Sequence, residues 1–381
     1  MKDCSKRLLF LGILVCALVL SACQFQQLLT TTEPSGEASA DASADVVEAS
    51  VDRISNDKYA YNAISSEAQA AYDEILYTIL QFDESIDLST CDMDVMETAY
   101  EAVNSDYGGL FWVSGYSYYK YTDSDGNIIR LSFEPNYTMT QSEAEEYQTQ
   151  VDAVVTEYLS DISPSDSDYT KVKTIFDKLI ENVDYVSDSQ DNQNILSVFL
   201  YGETVCQGYA NAMQYLLTQL DIPCIVVTGE ANGTAHAWNI ALLDGDYYCI
   251  DVTWGNSSYS TDTDVLDFVN YAYFCVTTSE LSATHTANMR FDIPQCAATA
   301  DNYFVQEGLY FESLDADAIG AVLQEAYEAG EPCMVKFASS EIYESALSYF
   351  VTEQNITYYC KGLTQVVYLE DAEHNILVFE F

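Results

Sequence analysis

Thr204-Val-Cys206-Gln-Gly208-Tyr-Ala210, then Ala235-His236-Ala-Trp238-Asn239, then Cys249-Ile-Asp251-Val-Thr-Trp254 is the run that decides how this 381-residue chain reads. Its three pieces set out a thiol, an imidazole and a carboxylate in order, 30 and then 15 residues apart. Those groups can act as a nucleophile, a general base and an orienting acid. The chain has only three histidines, so few competing sets can be drawn.

Thr204 followed three residues later by Gln207 fits a capping box, which predicts Thr204 as N-cap and Cys206 as the second residue of a helix. The positive end of the helix macrodipole favours a thiolate there. Ala210, Met213, Leu217 and Leu220 continue from Cys206 at helical spacing, and Pro223 stops the helix. Gly208 weakens the helix, which makes sense where something approaches its backbone closely.

Leu243-Asp244-Gly245-Asp246 reads as a two-residue hairpin turn. Pairing Leu243 with Asp246 sets Trp238 opposite Asp251 and His236 opposite Thr253. His236 and Asp251 then share a face as diagonal neighbours, with Cβ atoms roughly 7 Å apart. Trp238, Ile240, Leu242, Tyr247 and Cys249 share it too, an apolar bed on which the cysteine helix is expected to pack. Taken singly, a first-turn cysteine, a strand histidine and an aspartate have ordinary structural explanations. Their joint placement on matching faces points to catalysis.

These residues resemble the core of the transglutaminase-like superfamily. Val-Cys-Gln-Gly-Tyr-Ala, His-Ala-Trp-Asn and Asp-Val-Thr-Trp carry the likeness. Ser197–Tyr201, Ile222-Pro223-Cys224 and the Asp-Gly hairpin fit its bacterial members, and the resemblance covers roughly 141–298. It implies an α+β fold with a papain-like core, a cysteine helix packed on an antiparallel sheet, and Cys206, His236 and Asp251 as the triad.

The expected chemistry is acyl transfer through a thioester on a peptide or amide. The Cys206 backbone N–H is expected to help hold the oxyanion, and Tyr185 is a candidate second donor. Trp238 and Trp254 are candidate walls of the site. The superfamily resemblance covers both cysteine proteases and cross-linking transglutaminases. Hydrolysis is preferred, because a water-exposed site needs a special amine pocket to avoid it. A non-catalytic surface protein using the same fold is the competing class. No cofactor is expected. With no Cys-x-x-Cys pair and no His-rich cluster, neither is a metal.

Outward from this core, residues 1–22 read as an export signal. Lys2, Lys6 and Arg7 precede the apolar run Leu8 to Leu20. Leu20-Ser-Ala-Cys23 resembles a bacterial lipobox, which implies lipid on Cys23 and a protein anchored to the outer face of a cell membrane. Residues 23–58 read as the lipidated cysteine and a Thr, Ser, Ala and acid-rich tether. Residues 59–140 read as an N-terminal α/β accessory region, 141–298 as the catalytic domain and 302–381 as a C-terminal α/β module. In that module Tyr303–Phe311 alternates like a strand.

The formal charge of −48 sets this chain against nucleic-acid phosphates and anionic membrane surfaces. Cationic partners, amine-bearing substrates or basic peptides among them, are compatible with it. Beyond the signal and Cys23, eight cysteines are scattered through strand-like and helical runs, so buried free thiols are expected. His285 and His374 sit in polar, turn-like stretches and read as solvent-facing.

Overall fold

The computed structural model describes residues 58–256, 259–260, 265–266 and 269–381. The expected signal, Cys23 and the tether up to residue 57 lie outside the described residues. Two compact units result. One takes 58–256 and 276–298, and the other takes the described residues from 259 to 275 together with 299–381.

The first unit begins with helices Ser66–Gln81 and Met93–Asp106, capped by Ser65 and Asp92. Their apolar faces (Ile75, Ile79, Met96, Val103) bury against Leu131 and Phe133 of the antiparallel pair Val113–Thr122 and Ile128–Tyr137. Packing runs across the expected division at 140. Ser105 Oγ donates to the Val226 carbonyl at 2.7 Å, and Gly108 N–H donates to Gln214 Oε1 at 2.8 Å. Residues 59–140 and the segment with the cysteine therefore fall in one compact unit.

Next come helix Gln141–Tyr158, with a Thr140/Glu143 capping box, and helix Asp168–Asn182, which buries Val172, Ile175, Phe176 and Leu179. Short strands Asp184–Tyr185 and Glu203–Thr204 pair in parallel and deliver the chain to the cysteine helix, Cys206–Gln219.

The central sheet has strands β1 (Cys224–Ala231), β2 (Thr234–Leu243), β3 (Asp246–Ile250) and β4 (His285–Ala287), ordered β4-β1-β2-β3 and antiparallel throughout. Asp244 and Gly245 both take positive φ, 49° and 96°, as a tight hairpin turn of this twist requires. The Leu243–Asp246 register holds as far as Asn239 opposite Ile250. There it ends. Asp251 leaves the strand and caps a short helix, Val252–Gly255, accepting from Trp254 N–H. The Trp238–Asp251 and His236–Thr253 strand pairs therefore do not form, because a side-chain-to-backbone bond wins over a further ladder rung.

The cysteine helix also packs on the other face of β2. Ala210 clusters with Val226 and Ala237, and Asn239 Nδ2 donates to the Ala210 carbonyl at 2.9 Å. Trp238, Ile240 and Cys249 are covered instead by Leu281, Ile293 and neighbours, around a cavity of about 50 Å³. Residues 237–241 are all buried, so this strand is apolar on both faces and its alternation cannot say which one meets the helix.

The second unit holds another four-stranded sheet, β5 (Tyr310–Phe311), β6 (Cys333–Phe337), β7 (Val367–Asp371) and β8 (Ile376–Glu380), ordered β5-β6-β8-β7. Ile319 and Leu323 of helix Ala316–Ala329 pack with Val335, Phe337, Leu377 and Phe379. The expected strand over Tyr303–Phe311 is largely replaced. Asn302 caps a helical turn, Tyr303–Gln306, by accepting from Phe304 N–H, and only Tyr310–Phe311 pairs.

Candidate active site

Cys206 is the first residue of its helix, not the second. Val205, in extended conformation, is the N-cap and offers no capping side chain. Thr204 does not cap. Its hydroxyl bonds Ser197 Oγ at 2.6 Å and the Asn192 carbonyl at 3.2 Å. A Cβ on Gly208 would sit 1.9 Å from Thr204 Oγ1, so the close approach that the glycine permits comes from within the fold. First-turn N–H groups have no intrahelical acceptor, and with no capping side chain the Cys206 N–H is left facing outward from the helix end.

The sulfur is buried and near enough to His236 to help raise its ring. His236 Nε2 meets Asp251 Oδ2 at 2.8 Å, which leaves Nδ1 for the thiol. Helix and strand run in the same direction here, since Ala210 meets Asn239 as Cys206 meets His236. Asn239, fully buried, also donates to the Ile225 carbonyl and so fixes the helix to two strands at once. Its role was not legible beforehand, although it closes the His-Ala-Trp-Asn run.

Asp251 has no solvent exposure. Burial pushes its carboxyl up, but the charge and hydrogen bond of His236, followed by those of His285, hold it well below the usual carboxylate range. Burial pulls the His236 imidazolium down, and the Asp251 charge and hydrogen bond, with a smaller contribution from Cys206, outweigh it and raise the ring to about 10. These two shifts describe one interaction seen from its two ends.

His285 corrects an expectation. It is buried, not solvent-facing, and its Nε2 lies 3.0 Å from the same Asp251 Oδ2. The signal was weak because the strand that carries it is three residues long and pairs with β1 at a distance of more than fifty residues. Trp238 and Trp254 both flank the histidines. Trp238 stacks on His236 with centroids 6.2 Å apart, and Trp254 lies 4.8 Å from the His285 centroid. Tyr185 lies opposite Thr204, two residues before the thiol, on the neighbouring short strand.

His236, Asp251 and His285 offer donor atoms all within 4.8 Å of one another, the spacing of a metal-ligand group. Their contacts of 2.8 and 3.0 Å are N–H···O hydrogen bonds, so the two ring protons satisfy the carboxylate oxygen. All eight cysteines among the described residues are free thiols, seven of them buried and Cys91 exposed.

Residues 156–252 match the family model of the transglutaminase-like superfamily, and the sheet with its cysteine helix is a transglutaminase-like core. The mouse (Mus musculus) kyphoscoliosis peptidase is 24% identical over 148 residues, 34% of this chain and 22% of that protein. Its human (Homo sapiens) counterpart is 24% identical over 151 residues, 34% of this chain and 23% of that protein. The chain thus spans less than a quarter of the length of the curated relatives it matches. A crystal structure described as a TGase is 15% identical, covering 39% of this chain and 47% of that one, with a TM-score of 0.27.

Proposed function

We propose that this transglutaminase-like unit is a thioester-forming enzyme that cleaves peptide or amide bonds. The observation that carries the reading is the thiol at the head of an uncapped helix, beside a histidine whose far nitrogen is held by a buried aspartate. His236 Nδ1 holds the proton of the Cys206 thiol, and Sγ attacks the carbonyl carbon. The oxyanion meets the Cys206 N–H at the positive end of the helix. As the C–N bond breaks, Nδ1–H protonates the departing amine and leaves a thioester. Water then attacks, His236 accepts its proton, and the acid is released with the thiol restored. Asp251 holds the ring and offsets its charge throughout.

Water is the preferred acceptor, because an amine must outcompete it in an open site. The acidic chain favours cationic or amine-bearing peptides as substrates. We place the protein on the outer face of a cell membrane, held by lipid on Cys23; the support is Leu20-Ser-Ala-Cys23 after a charged start and an apolar run. Among the described residues, no helix is long and apolar enough to cross a membrane.

Iodoacetamide labelling of the full chain, mapped by mass, tests the site. The expected result is fast alkylation at Cys206 that is lost in Cys206→Ala and slowed in His236→Gln. Alkylation of Cys206 no faster than that of exposed Cys91 would overturn the enzyme reading in favour of a binding module. Incubation with glutamine peptides and a tagged amine separates the acceptors: tag incorporation without cleavage would replace hydrolysis by cross-linking.

A further inference from the structure

Asp251 receives three N–H groups. Oδ1 takes Trp254 N–H at 3.1 Å, while Oδ2 takes Nε2–H from His236 at 2.8 Å and from His285 at 3.0 Å. The second histidine comes from a separate strand 34 residues further along the chain, and its side chain is 1% exposed. The fold goes to some length to hold it there. β4 lies so close to β1 that a Cβ on Gly229 would be 2.1 Å from the Thr286 carbonyl oxygen. Thr284 Oγ1 lies 2.8 Å from His285 Nδ1, and Trp238 and Trp254 meet the ring edge-to-face at 5.2 and 4.8 Å. Held in this way, the ring presents Nε2–H to Asp251.

Two features distinguish this from simple satisfaction of a buried carboxylate. Both histidines share one oxygen, so the bond from His285 selects which lone pair of Oδ2 remains for His236. The His285 ring also flanks that of His236, with centroids 5.2 Å apart at 60°, and limits its swing. The terminal torsion of an aspartate is soft, so the direction of the shared oxygen depends on its donors.

We propose that His285 is a positioning residue for the reaction, acting through Asp251 to aim His236 at Cys206. The proposal rests on the reading that Cys206 and His236 carry the chemistry. The strand that bears His285 lies outside the segment 156–252 that matches the family model.

The test measures iodoacetamide alkylation of Cys206 in the full chain, beside thermal unfolding, for wild type, His285→Leu, His285→Asn, His285→Gln and His236→Gln. Gln carries an N–H donor where Nε2 stands, whereas Asn carries one only where Nδ1 stands. Expected are losses of about 10- to 100-fold for Leu and Asn, with Gln within about 3-fold of wild type. Melting temperatures should fall for all three without following that order. Equal rates in all three His285 variants, or rates that track melting temperature, would overturn positioning and leave a structural histidine. Should Leu fail to fold, the Asn and Gln pair decides alone. If His236→Gln does not slow alkylation, the underlying Cys–His reading falls and the positioning role falls with it; if it does and the His285 variants do not, only the positioning role fails.

Discussion

Two regions of this molecule contain a histidine 2.8 Å from an aspartate, and they are not equivalent. His374 Nδ1 meets Asp371 within a turn, three residues apart, with both side chains slightly exposed. His236 meets Asp251 across fifteen residues, with the carboxylate fully buried and a thiol on the ring's other side. In the turn, Asp371 also accepts the His374 backbone N–H, so the contact is local and does for the chain what an Asx turn does. Around Asp251 the contact is assembled from the cysteine helix, the end of a strand, a helix cap and an edge strand. A His–Asp distance says nothing about function. What separates the two is how many distant elements must agree for the contact to exist, and what lies on the far side of the ring.

Asp251→Asn breaks that comparison hardest. The amide oxygen can serve either the two histidine N–H groups or Trp254 N–H while its own NH₂ faces the rest, so a buried donor loses its acceptor. We expect a fall in stability of about 3–5 kcal/mol, the scale for removing one partner of a buried ion pair. The proposed hydrolysis should drop by on the order of 10⁴-fold, as the histidine loses its aim. Denaturant melts and turnover measured on the same preparation check both. A variant that keeps full turnover would show that the buried aspartate is only a cap for Trp254.

Much of this contrast was legible in advance. The order thiol, imidazole, carboxylate, the Asp-Gly turn and its register all follow from local rules. The residues that went astray did so for identifiable reasons. Thr204 carries a capping signature, yet its hydroxyl is claimed by Ser197 and Asn192, partners brought near by the tertiary fold. Asp251 ends its strand by capping, which a register argument cannot foresee. The helix chose the Ala237–Asn239 face of β2 because both faces are apolar, and small residues there admit a close backbone. His285 sits on three residues of strand, too short for any periodicity, and becomes visible only when β4 joins β1.

A gentler probe is pH. The folded His236 is raised to about 10, above its unfolded value of about 6.5. Its contribution to stability is therefore full below about 6.5 and is lost as pH rises through about 10. Asp251, held low, contributes above about 3.9 and loses that contribution as pH falls through its depressed folded value. The stability excess of wild type over His236→Gln should thus be flat from about pH 5 to 6.5 and shrink steadily toward pH 10. The proposed hydrolysis should fail over the same alkaline limb, where the imidazolium that would protonate the leaving amine disappears. An excess that grows with pH would mean that His236 is held neutral and that the ion-pair account is wrong.

The smallest effect is expected at the other pair. In His374→Ala the turn keeps its Gly-free, positive-φ Asn375 and the strands on either side, Val367–Asp371 and Ile376–Glu380, remain paired through five rungs. The lost contact is local and partly wetted, so it should cost no more than about 1 kcal/mol. Edge contact with Tyr273, at 5.2 Å, is lost as well and belongs to the same small sum. Cys206 alkylation should stay within about 2-fold of wild type, since surface-scale changes of this kind seldom reach a distant site. A large fall in alkylation without a fall in melting temperature would make His374 more than a turn residue, and the contrast between the two pairs would then have to be drawn from the thiol alone.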